Sequence, residues 1–254
     1  MRSKLISFEE AFKILELPEY LNGLERSHWI SIMKSDREKR PILIETCRCL
    51  QNVYEEICAA RFALINSCKL NYPEFIASDE NRDSHLWIQS QFANNAILWY
   101  NATFDILLQV LWMYYKLYEH LKKPLKFSNQ NMDLMLAKCK LDKFKESIIG
   151  KEQYALLVEF TIKYKPTIAE WANTLKHRRM IEYKELQKGK YNRCYITSYS
   201  DTNTFNDIKE GNLVEYDSSE TLIVYSLSEV INKLFEYHKD ICKLARTVFD
   251  NIKV

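Results

Sequence analysis

Asn173, Lys176 and His177 stand three and four residues apart in PTIAEWANTLKHRRMIEYKEL, residues 166–186. A helix over that stretch carries all three on one face. An amide, an ammonium and an imidazole then share one patch, with Arg178 and Arg179 next in the chain. Imidazole titrates near neutral pH and serves as a general acid or base. A cation beside it stabilises the charge that develops on a phosphate. The chemistry this set supports is therefore proton transfer beside a positive charge, with His177 as acid or base, Asn173 as a hydrogen-bonding group and Lys176, Arg178 or Arg179 as the cation. Charge runs on helices are more often solvated faces. KHRR as an ordinary surface thus stands beside that reading, as does a face that binds nucleic acid or a partner without cleaving it.

A second polar group interrupts an apolar stretch. Residues 85–120 carry Trp87, Phe92, Ile97, Trp99, Phe104, Leu107, Leu111, Trp112 and Tyr115, which predicts a central buried helix. Asn94, Asn101, Asp105 and Gln109 recur within it at helical spacing. Such a stripe either closes into an internal network or lines a cleft, because buried polar groups need partners. A small-molecule pocket lined by these four residues is the cleft version. The same interruptions argue against a membrane span, which needs about 20 predominantly apolar residues.

Other chemistries lack their residues. There is no Gly-rich phosphate loop, HExxH, zinc-spaced Cys/His cluster or hydrolase-type Ser elbow. Glu55–Glu56 has no His at the spacing of a di-iron bundle. No metal or cofactor is expected. His28, His85, His120 and His238 read as surface or capping residues at element ends.

Long elements must position these groups. Only four Gly and five Pro serve 254 residues, so turns are few and helices long. Leu50, Val53, Ile57, Ala60 and Leu64 predict a helix over residues 44–70. Shorter helices are expected over 132–144 and 150–165, and a helix starting at Pro166 and running to Leu186 carries the candidate site. RCYITSY (193–199) and TLIVY (221–225) predict an antiparallel hairpin. Ser226 or Ser228 then caps a last helix through Ile252, whose core face is Val230, Leu234, Tyr237, Ile241, Leu244 and Val248. Ser226 with Glu229 fits a capping box. The expected architecture is mainly α: an up-down helical bundle around a long central helix, in a single domain over 1–254. A peripheral segment (1–40) and a β-hairpin insert (193–225) decorate it.

Net charge is +2, so the chain is not globally basic, although a local basic patch still suffices for nucleic acid. Seven Cys without a CxxC pair read as reduced thiols. The opening MRSKLISFEE has no apolar signal core. A cytoplasmic protein is the corresponding expectation.

In the helical pattern and in Asn173-x-x-x-His177, the chain resembles the HEPN superfamily of all-helical domains, in particular bacterial branches with a β-hairpin insert. The resemblance implies an Arg-polar-x-x-x-His type motif, with Asn173 as the polar residue and His177 as the histidine. Ala172 stands where the motif has Arg, and Arg178, Arg179 or Lys176 would supply the charge instead. It further implies a homodimer that pairs two motifs. The catalytic relatives it points to are metal-independent ribonucleases, often toxins or anti-phage effectors. RNA and an antitoxin or other partner protein are the partners implied.

Overall fold

The structure is a computed structural model and describes residues 7–15, 34, 35, 37, 39–73, 82–177, 181–186 and 224–252. These residues are mainly helical. Helix α1, Phe8–Ile14, starts at Ser7, which forms a capping box with Glu10. Helix α2, Arg40–Ser67, starts beside Pro41, where a missing N–H costs nothing. Its stripe of Leu50, Val53, Ile57, Ala60 and Leu64 is buried throughout. Helix α3, Arg82–Tyr114, packs along α2 more extensively than any other pair of described elements. Ala60 and Ala63 on α2, and Ala93 and Ala96 on α3, are fully buried. Small side chains at such positions let two backbones approach.

The apolar pattern through His120 ends earlier as a helix. Lys116 adopts a left-handed conformation, with φ of 50°, and breaks α3 before the short 3₁₀ turn Leu117–His120. Two short helices follow, α4 (Met132–Ala137) and α5 (Glu146–Ile149). The helix expected over 132–144 is thus only its first turns, and a 3₁₀ turn at Leu141–Lys143 completes that stretch. Gly150, at φ 88° and ψ 146°, separates α5 from α6, Lys151–Tyr164. That backbone region is nearly exclusive to glycine.

Pro166 does not begin a helix. Residues Lys165–Ala169 form a π turn that joins α6 directly to α7, Glu170–His177. Proline cannot donate to the carbonyl four residues back, and its ring crowds that carbonyl. A wider turn is the local solution. The candidate helix is also shorter than expected. Glu182–Tyr183 (β1), placed within it by periodicity, is a strand that pairs with Val224–Tyr225 (β2). The pairing is parallel, with Glu182 opposite Val224 and Tyr183 opposite Tyr225. The antiparallel hairpin expected over 193–225 is not seen among the described residues. A tight hairpin turn joins antiparallel neighbours only, and here some forty residues separate the paired strands. The other expected strand, 193–199, lies outside the described residues, as do the peripheral segment's residues 16–33.

Helix α8, Leu227–Asn251, closes the core. Val230, Leu234, Tyr237, Ile241, Leu244 and Val248 are all buried, facing α2, α3 and α6. Full burial of one such aliphatic side chain is worth about 1.5–3 kcal/mol. Ser226 occupies the cap position, but the Ser226–Glu229 capping box does not form. Glu185 supplies the cap from the turn after β1. One oxygen accepts the Leu227 N–H at 2.9 Å, and the other accepts the Ser226 hydroxyl at 2.8 Å.

One helix among the described residues, Ser84–Tyr114, is long and apolar enough to cross a membrane. More than half of its most apolar window is buried inside the structure, the pattern of a core helix.

Candidate functional site

Helix α7 is short and strongly two-sided. Trp171 and Ala172 are buried, and the Trp171 ring meets Tyr225 edge-on at 5.2 Å between centroids. Trp171 therefore serves the core rather than offering a platform for bases. Asn173, Lys176 and His177 are all exposed on the opposite side. Arg178 and Arg179 lie outside the described residues. No hydrogen bond engages the His177 ring among the described residues. Ala172, the residue that precedes Asn173, is fully buried and faces the core.

The polar stripe of α3 splits into two environments. Asn94 is buried and accepts a 2.7 Å hydrogen bond from the Tyr183 hydroxyl of β1. Its Nδ2 is buried and finds no partner among the described residues. Asn101 and Asp105 are nearer the surface and linked to each other by a long 3.4 Å contact. Gln109 is half-buried. Helix α7 packs against α3, and this brings Asp105 within the field of Lys176. Desolvation by surrounding protein pushes the Asp105 carboxyl up, and the Lys176 ammonium pulls it partly back. So Asp105 and Lys176 are brought together, with Asn101 beside Asp105, whereas Asn94 belongs to an interior pair.

Two further clusters escaped the sequence. The first lies in an open groove between α6 and α8. Leu156, Phe160 and Leu244 form its apolar lining, while Glu159, Lys163, Asp240, Lys243 and Thr247 supply the polar lining. Lys163 Nζ and the Tyr164 hydroxyl both donate to Asp240 Oδ2, at 2.7 and 2.8 Å. Burial pushes the Asp240 carboxyl up. The hydrogen bonds from Lys163 and Tyr164 and the charges of Lys163 and Lys243 outweigh it and hold the carboxyl below its usual value. Seventy-six residues separate Tyr164 from Asp240, so no local pattern announces the pair.

The second cluster is His238, which is buried in the middle of α8 rather than at an element end. Its Nδ1 lies 2.8 Å from the Tyr100 hydroxyl and its Nε2 lies 3.7 Å from Cys242 Sγ. A signal existed: His238 is four residues after Leu234 and three before Ile241, on the core face. Burial pushes the Cys242 thiol up to about 12, too high for thiolate chemistry at neutral pH. His85 is likewise buried and accepts the Tyr72 N–H at 3.1 Å, tying the segment after α2 to the start of α3. Among the described residues, no three His, Cys, Asp or Glu side chains lie close enough to hold a metal ion.

No protein-family model matches the chain, and neither a curated protein nor a solved structure gives a significant match.

Proposed function

We propose that α7 presents an RNA-contacting face in a cytoplasmic, HEPN-like up-down helical bundle. The observation that carries this reading is the shared exposure of Asn173, Lys176 and His177 on one side of α7, opposite buried Trp171 and Ala172. An amide and an ammonium are suited to phosphate oxygens, and Lys176 remains exposed beside Asp105. With Ala172 inward, binding asks for fewer groups than catalysis does. A second copy would pair its own α7 face across a two-fold axis, and a protein partner such as an antitoxin would cover the same face.

One observation favours a second reading, metal-independent RNA cleavage. The His177 ring is exposed and makes no hydrogen bond among the described residues, so it can address a substrate hydroxyl as base and, from a second copy, a leaving oxygen as acid. Arg178 or Arg179 would then replace the motif arginine.

One assay separates the two. Labelled structured RNA is incubated with the protein in chelator, beside His177→Ala. Retention of RNA by both proteins without products supports the binding face. Cleavage by the wild type alone, leaving cyclic phosphate ends, supports the enzyme. Failure of the wild type to bind or cut RNA removes both readings.

A further inference from the structure

Positive charge is concentrated in one stretch away from α7. Between Lys116 and Lys151 there are nine Lys, no Arg and four carboxylates. The chain carries a net charge of only +2, so its remainder is net acidic. The segment is irregular, built from α4, α5 and short 3₁₀ turns. It is nonetheless fixed to the C-terminal end of α3. Leu117, Tyr118, Met135, Phe144 and Ile149 are buried, and the Phe144 ring lies 5.8 Å from Trp112. Hydrogen bonds also tie the segment to itself. Lys145 Nζ donates to the His120 carbonyl, Leu125 N–H to the Tyr118 carbonyl and Asn131 Nδ2 to the Lys126 carbonyl.

With the apolar residues turned inward, the lysines are left outside. Lys122, Lys123, Lys126, Lys138, Lys140 and Lys151 are exposed, and none makes an ion pair among the described residues. The only carboxylate of the segment in a close pair is Asp142, with Lys143 at 2.8 Å. Exposed ammonium groups on a fixed scaffold attract a polyanion, whose own counterions are released on binding.

We infer that this lysine cap is a docking surface for the phosphate backbone of nucleic acid. Lysine without arginine suits point-charge contact with phosphates rather than forked recognition of base edges. The surface is therefore a sequence-indifferent one. A lipid surface is disfavoured by the same anatomy, because Leu134 is the one large apolar residue of the described segment that is well exposed. The inference shares its ligand class with the RNA reading of α7 but rests on different residues, so each fails separately.

The test is fluorescence anisotropy with labelled single-stranded RNA of mixed sequence, over a series of salt concentrations. The wild type is compared with the variant Lys122→Gln, Lys123→Gln, Lys138→Gln and Lys140→Gln combined, with the four Lys→Arg changes, and with Lys176→Gln plus His177→Gln. The expected result is at least a tenfold loss of affinity in the Gln cap variant, with Arg restoring it. The slope of log affinity against log salt should fall by about 3, near 0.7 per lost phosphate contact on a single strand. Equal affinity and slope in the Gln cap variant would overturn the inference, as would absence of RNA binding by the wild type. Loss confined to the α7 variant overturns the cap and keeps the α7 reading; loss confined to the cap variant does the reverse. Capture by phosphatidylserine vesicles with no RNA binding also overturns it. Far-ultraviolet circular dichroism of each variant establishes that helix content is unchanged.

Discussion

The Tyr183 hydroxyl donates to Asn94 Oδ1 at 2.7 Å, across 89 residues of chain. This bond ties the strand that follows α7 back to the interior face of α3. It fixes where the chain goes after the candidate face and makes β1 part of the core. Tyr183→Phe leaves the Asn94 carbonyl buried and unpaired. The expected cost is about 1–3 kcal/mol in urea unfolding. Adding Asn94→Leu to that variant should recover part of the loss, since two apolar groups replace an orphaned polar one. A Tyr183→Phe protein as stable as wild type would mean that the bond contributes nothing net.

Asp240 gives a pH signature with a definite sign. Its folded-state carboxyl is held below its unfolded value by Lys163, Tyr164 and Lys243 against the opposing effect of burial. A depressed carboxyl stabilises the fold above its unfolded value, near 4, and loses that contribution as pH falls through the folded value. The Lys163–Asp240 pair is about half exposed, so screening keeps the contribution to roughly 0.2–1 kcal/mol. Asp240→Asn should therefore be slightly less stable than wild type at pH 7. Melts repeated towards pH 3 should show the gap closing. A gap that widens on acidification would contradict the depressed carboxyl.

Asp105 behaves in the opposite sense. Protein crowding raises its carboxyl, and Lys176 opposes that rise. Replacing Lys176 with Met removes the opposition, so the Asp105 carboxyl should titrate at higher pH than in wild type. Carbon-detected NMR titration of the Asp side chains reads this directly. An Asp105 curve indifferent to Lys176 would place α7 farther from α3 than its packing indicates.

Two backbone positions carry opposite expectations. Lys116 pays for a left-handed conformation that glycine adopts freely, so Lys116→Gly should stabilise by up to about 1 kcal/mol. Gly150→Ala should destabilise by about 1–3 kcal/mol, although nothing lies near the added Cβ, because the conformation itself excludes it. Chemical denaturation of the two proteins compares them in one experiment. A neutral Gly150→Ala would mean that the chain relaxes between α5 and α6.

The legible part of this fold was the part written in local periodicity. The stripe of α2 and the core face of α8 could be read because every third or fourth residue reports burial on a helix. The face bearing Asn173, Lys176 and His177 followed from the same rule. What stayed hidden depends on distant partners or on backbone bonding. Glu182–Tyr183 continues an apolar spacing that reads as helix until Tyr225 pairs with it. Glu185 caps α8 from 42 residues away and displaces the Ser226–Glu229 box that the local sequence suggests. Pro166 has the signature of a helix start, yet a π turn carries the chain past it. Asp240 looks like any solvated carboxylate on α8 until Lys163 and Tyr164 arrive from α6.

The cap that Glu185 places on α8 also brings two distant points of the chain together. The carboxylate that follows β1 touches the residues that follow β2, so the end of the two-strand ladder and the first turn of α8 share one anchor. One carboxylate thus holds a helix start and a strand pair to each other, and its loss would loosen both at once.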